Sequence, residues 1–148
     1  AGNHGFNLIT KYPSADYACI DLPEARLAGG DPDMSPEDCA RVLTNRMPIG
    51  RMVVTHGRHG CVFLDKRGAD KPDPHRVPAV ATKVLDTMGC GDAFLAITAP
   101  LMSVAKPDEV EIVAFIGNLA GAIKASIIGH RSAVDKETLL RYAATLLK

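Results

Sequence analysis

Residues 109–128 are apolar almost all the way round a helix, a pattern that only a helix covered on most of its sides can satisfy. Such a helix needs a layer on each side of it. The rest of the sequence offers those layers as short apolar runs and shorter helices. Tyr17-Ala18-Cys19-Ile20, followed by Pro23, reads as a buried strand that ends in a turn. Ser35-Pro36-Glu37-Asp38 supplies an N-cap, a first-turn proline and early acidic residues for a helix running to about Asn45. Strands follow over 51–55 and 61–64, joined by His56-Gly57-Arg58-His59-Gly60, whose two glycines suit positive φ or a close backbone approach. Residues 68–78 carry three prolines and alternating charge and are read as an exposed connection. From Gly91 the pattern is helical, over 92–104, 109–128 and 135–147. Strands giving way to helices predict an α/β layered fold.

The composition narrows the function. Seventeen basic and seventeen acidic residues cancel, so no overall field draws the chain to nucleic acid or to an anionic membrane, and an anion must be held by local geometry. The four cysteines form no C-x-x-C pair, and the five histidines show no i, i+4 pairing, which argues against a zinc site. With neither a signal-peptide layout nor a long uncharged apolar run, the expected location is the cytoplasm. A P-loop motif is absent.

The chemistry concentrates in Asp86-Thr87-Met88-Gly89-Cys90-Gly91-Asp92-Ala93-Phe94. Two glycines bracket one residue just before a helix, so their N–H groups can form a concave nest at the positive end of the helix dipole. That is an anion hole suited to phosphate. Asp92, in the first helical turn, faces the same space and can take a proton from an attacking hydroxyl. Local pattern alone is also met by a tight turn with an acidic helix start. Cys90 reads mainly as a small loop filler, although a helix start can also lower a thiol pKa.

The full string resembles the C-terminal signature of the ribokinase-like (PfkB-type) carbohydrate kinases, Asp-Thr-x-Gly-Ala-Gly-Asp, with Cys90 in place of alanine. Three further segments resemble that family in order. Thr55-His56-Gly57-Arg58-His59-Gly60 resembles its Thr-x-Gly-x-x-Gly loop, which implies phosphate contacts at Thr55, Gly57 and Gly60. Gly117-Asn118-Leu119-Ala120-Gly121-Ala122 resembles the stretch lining the adenine pocket, with Asn118, Gly121 and Ala122 at the base. A buried Asn satisfied by backbone fits Asn118 as well. Asp21-Leu22-Pro23-Glu24 resembles the Asn-x-x-Glu motif that organises magnesium, with Asp21 replacing Asn, so an acceptor is kept and an amide donor lost. A strand-end acidic pair capping a helix is the alternative.

The resemblance implies a ribokinase-like layered sandwich in which residues 1–148 form a single partial domain, the C-terminal portion of a mainly parallel sheet flanked by helices. The sugar-binding N-terminal half and its lid are not in the sequence, which opens at Ala1 without an initiator Met. The implied activity is ATP-dependent phosphorylation of a sugar or sugar-phosphate hydroxyl. Asp92 is the base, Gly89, Cys90 and Gly91 form the anion hole, magnesium lies near Glu24 and Asp21, and potassium sits beside the 86–88 loop. A non-catalytic nucleotide-binding domain, or a nucleoside or vitamin kinase, shares the motifs. Thr98-Ala99-Pro100 and Gly129-His130-Arg131 resemble a heptose-phosphate kinase branch. An uncovered sheet edge predicts self-association into a homo-oligomer.

Overall fold

The computed structural model describes residues 7–68, 72–129 and 131–146. The expectations placed on Ala1 to Gly5, His130 and Leu147, and on 69–71 of the proline-rich connection, lie outside them. The described elements are β1 (Ala15–Asp21), α1 (Leu22–Gly29), α2 (Pro36–Arg46), β2 (Ile49–Thr55), β3 (Cys61–Asp65), β4 (His75–Val77), α3 (Cys90–Val104), α4 (Val110–Ala125) and α5 (Lys136–Leu146). The strands form one sheet in the order β1-β2-β3-β4.

The pairing follows from the connections. Two helices separate β1 from β2, enough chain to return and pair in parallel, Ala15 opposite Ile49 and Asp21 opposite Thr55. Five residues separate β2 from β3, so that pair is antiparallel, as is β3 with β4. The described sheet is therefore mixed. Over residues 52–54 its strand β2 alternates between two cores. Met52 and Val54 join Leu43, Cys39 and Ala25 under α1 and α2, while Val53 points the other way to Phe94, Met102 and Ala114 of α3 and α4. The layered α/β expectation holds, with helices on both faces.

Helix α2 starts where the sequence places it. Ser35 caps it by accepting from the Asp38 N–H, with Pro36 in its first turn. Helix α4 is as enclosed as its composition requires, with Val110, Val113, Ala114, Gly117, Leu119, Ala120, Ala122 and Ile123 all buried.

Two expectations need correction. The chain does not merely turn after Ile20. It enters α1 at once, because Asp21 caps that helix and Pro23 occupies its first turn, a position where proline is tolerated. The connection over 68–78 contains β4, whose Val77 is buried against the α3/α4 core while His75 and Arg76 stay exposed. Three residues with one inward side chain give no alternation to detect.

One cleft of about 680 Å³ opens between the start of β1, the end of α2 and Lys66. It lies at the amino ends of β1 and β2.

Candidate functional site

The register sets Asp21 directly opposite Thr55, so the acidic pair of residues 21–24 and the glycine loop of residues 56–60 leave the sheet side by side at the carboxyl ends of β1 and β2. The run of α3 decides whether Asp92 joins them. At the start of β2, Arg51 is buried and donates to the carbonyls of Met102 (2.5 Å) and Ala105 (2.8 Å) at the end of α3. Midway, the Tyr17 and Thr98 hydroxyls are 2.8 Å apart. Thr98 gives its own proton to Phe94 O, so Tyr17 is the donor. Helix α3 therefore runs opposite to β1 and β2. Asp92 lies six residues before Thr98, about 9 Å along the helix, and Asp21 four residues beyond Tyr17, about 13 Å along the strand. The helix start and the two strand ends thus share one end of the sheet.

Gly89 is the αL residue that turns the chain into α3, at φ 77°. The first turn of a helix has no intrahelical acceptors for its N–H groups, which leaves those of Gly91 and Asp92 turned toward this end. A Cβ on Gly91 would meet nothing within 4 Å, so the backbone is open to an approaching anion. The Cys90 N–H points instead to Thr87 O at 3.2 Å and closes the loop. Asp86 holds the loop from beneath. One carboxylate oxygen accepts from Met88 N at 2.9 Å and the other from Gly129 N at 2.8 Å, while its own N–H donates to Ala125 O.

Cys90 points inward, its thiol 3.8 Å from Asp86 O. Burial raises its pKa, partly offset by the charge of Lys124, so the lowered pKa that a helix start can produce is not found. Its role is packing.

The glycine loop is a single 3-10 turn, Gly57 to His59. Both glycines have positive φ, but for different reasons. A Cβ on Gly57 would meet open space, whereas one on Gly60 would lie 2.0 Å from Val77 O and 2.6 Å from Ala79 N. Asn118 leans on the same segment, its amide donating to Val77 O (3.2 Å) and Pro78 O (3.0 Å). The backbone partnership considered for Asn118 is thus present, and it fixes the chain leaving β4 beside the glycine loop. Gly121 passes under the loop, where a Cβ would stand 3.8 Å from Cys90 O, and Ala122 is buried beside it. Sequence reading gave no role to Arg58 or His56. Arg58 donates to His59 within the loop. His56, packed against His59, has its pKa lowered by burial and by that neighbour, so it is neutral near pH 7.

Asp21 Oδ1 accepts from Glu24 N at 2.8 Å, which makes Asp21 the α1 N-cap. Asn caps as well as Asp, so the exchange leaves the local backbone intact. Among the described residues no three His, Cys, Asp or Glu side chains converge as a metal cage. Asp21 and Glu24 remain as a pair of carboxylates. Magnesium is commonly held through one or two carboxylates plus substrate phosphates and water, so the pair fits it. Among the described residues no helix is long and apolar enough to cross a membrane.

The sequence profile for pfkB family carbohydrate kinases matches residues 8–137. The chain is 26% identical to mouse ribokinase over 123 residues, 82% of this chain and 37% of that protein. It is 31% identical over 87 residues to the bifunctional protein HldE of Ectopseudomonas mendocina, 59% of this chain and 17% of that one. The fructokinase of Vibrio cholerae O395, solved with fructose, ADP and a calcium ion, superposes with a TM-score of 0.71 at 23% identity, covering 86% of this chain and 40% of that one. A double mutant of that fructokinase was solved with a potassium ion. The chain therefore spans about two fifths or less of the length of these proteins.

Proposed function

The chain belongs to the pfkB family of carbohydrate kinases, and from that premise we propose that it carries the nucleotide-binding and catalytic half of an ATP-dependent kinase acting on a sugar or sugar-phosphate hydroxyl. One observation carries the reading. The αL turn at Gly89, the start of α3 with Asp92 in its first turn, and the carboxyl ends of β1 and β2 all meet at one end of the sheet. Ligands of open α/β sheets bind at that end. The ADP and sugar held by the fructokinase support the same ligand classes here.

In this reading the Asp92 carboxylate accepts the proton of the sugar hydroxyl as its oxygen attacks the γ-phosphorus of ATP, and ADP leaves. Charge spreads over the transferring phosphoryl oxygens, and N–H groups of the Gly89 to Asp92 turn stabilise it. Such donors are worth about 10²–10³ in rate each. Within that turn the Gly91 and Asp92 amides are the better donors, since Cys90 N–H serves Thr87. The backbone of Thr55, Gly57 and Gly60 lies along the phosphates, while Asn118 shapes the base pocket by fixing residues 77 and 78 and Gly121 and Ala122 leave room for the base. Glu24 and Asp21 hold magnesium, which when bound neutralises phosphate charge.

The test is Asp92→Asn in the whole enzyme. Turnover falls at least a hundredfold, with ATP affinity by calorimetry and Tm nearly unchanged. Turnover like that of the wild type refutes the base assignment. The chain by itself binds magnesium-ATP weakly and does not turn over a sugar panel, because nothing in these elements fixes a hydroxyl in line with the γ-phosphate. Positioning of that kind accounts for about 7–11 kcal/mol of barrier reduction. Nucleosides in the same panel separate sugar kinase from nucleoside kinase, and nucleotide binding with no turnover in the whole protein marks a non-catalytic domain.

A further inference from the structure

Lys124 is a buried lysine in the last turn of α4, directly beneath the phosphate loop, and its ammonium donates to Gly129 O. A buried charge persists only where it is paired or well hydrogen-bonded. The surroundings of this one are those of a cation site. The Gly129 N–H donates to Asp86 Oδ2 at 2.8 Å, so carbonyl and amide of one residue link the ammonium to the loop carboxylate. The Cys90 thiol, which packs against Asp86 O, feels the Lys124 charge. Leu85 and Asp86 both donate to Ala125 O, closing the other side.

Potassium is the ion that the sequence resemblance implies for the space beside the 86–88 loop. It does not fit here. A potassium ion is held by a shell of oxygens, and the Gly129 carbonyl is already taken by the ammonium. Two cations within a few ångströms of each other in a buried site also repel strongly. An ammonium is itself a compact single positive charge with three donors. We propose that the Lys124 ammonium is a built-in substitute for the monovalent cation, so that the phosphate loop of this chain is held in shape without potassium. The inference rests on the kinase reading only for its choice of ion.

Thermal denaturation of this chain, in tetramethylammonium, sodium or potassium chloride at constant ionic strength, tests it without nucleotide or turnover, so failure of the kinase reading leaves the readout intact. Wild-type Tm is the same in the three salts. Lys124→Ala has a lower Tm in tetramethylammonium chloride and regains it in potassium chloride, saturably, where the wild type does not respond. Lys124→Met, which fills the stem but lacks the charge, behaves in the same direction. If Lys124→Ala is unfolded in tetramethylammonium chloride, refolding on addition of potassium is the expected result and failure to refold overturns the proposal. A saturable, potassium-specific rise in wild-type Tm overturns it, as does a pair of variants indifferent to potassium.

Discussion

Substituting the two glycines of the 55–60 loop one at a time separates two reasons for a glycine that look identical in sequence. Gly57→Ala places a methyl in open space at φ 53°, so its cost is the left-handed backbone alone, about 1–2 kcal/mol. Gly60→Ala puts a methyl 2.0 Å from Val77 O and 2.6 Å from both Ala79 N and Pro78 C, at φ 85° and ψ −133°. Every obstructing atom is backbone, and Asn118 pins those same carbonyls, so the segment cannot simply retreat. Backbone strain of about 1–3 kcal/mol and overpacking of about 1–3 kcal/mol centre the loss near 4 kcal/mol. At roughly 2–4 °C per kcal/mol for a chain of this size, Tm falls by about 8–16 °C for Gly60→Ala and by about 2–8 °C for Gly57→Ala. Thermal denaturation by circular dichroism, with calorimetric titration of magnesium-ATP on whichever variants remain folded, measures both. Equal Tm losses for the two variants would refute the argument that Gly60 is required by contact with the chain leaving β4.

Arg51→Met leaves Asp65, its 3.0 Å partner, and two α3 carbonyls without their donor, and lowers stability by about 3 kcal/mol in chemical denaturation. Asp21→Asn keeps the α1 cap and stays within a few tenths of a kcal/mol of wild type, whereas Asp21→Ala loses about 1 kcal/mol in the same assay. Burial pushes the Cys19 and Cys61 thiols from 9.0 up to about 12, so the unfolded chain releases those protons first. Stability is full below about pH 9 and falls as pH rises toward 12, and a Tm series from pH 8 to 11 shows a shallower fall in Cys61→Val than in wild type.

What could be read from the sequence was what short-range geometry determines. The start of α2, the positive φ of Gly57 and Gly60, the turn into α3 and the enclosure of α4 each depend on residues within a few positions of one another. The helix after β1 stood only as an alternative, an acidic pair capping a helix, because Pro23 signals a turn as readily as a helix start, and the difference lies in whether Asp21 reaches the Glu24 N–H. Strand β4 was hidden because only Val77 of its three residues faces a core. At the site, the sequence marked Asp92 and its glycines but not the groups that aim them. Nothing near Arg51 or Lys124 in the sequence signals where their partners lie. Both turn inward for partners 54 and 5 residues away at most, and only the tertiary fold brings the former within reach.

Those hidden groups explain why one carboxylate at a helix start can be more than a cap. An acidic residue in the first turn of a surface helix contributes a few tenths of a kcal/mol to about 1 kcal/mol through the dipole and has no fixed target. Helix α3 is different because it is tied along its length. Arg51 holds its last carbonyls, Tyr17 donates to Thr98 at its middle, and Gly117 admits Phe94 and Thr98 so closely that a Cβ there would stand 2.6 Å from each. At its start, Asp86 fixes Met88 on one side and Gly129 on the other. None of these groups has to touch a substrate. Their combined effect is to set the position of Asp92 against β1 and β2, so that, for the role proposed for Asp92, the residues that aim it lie in the sheet, in α4 and in the loop before α3, and a loss of function need not arise within the motif itself.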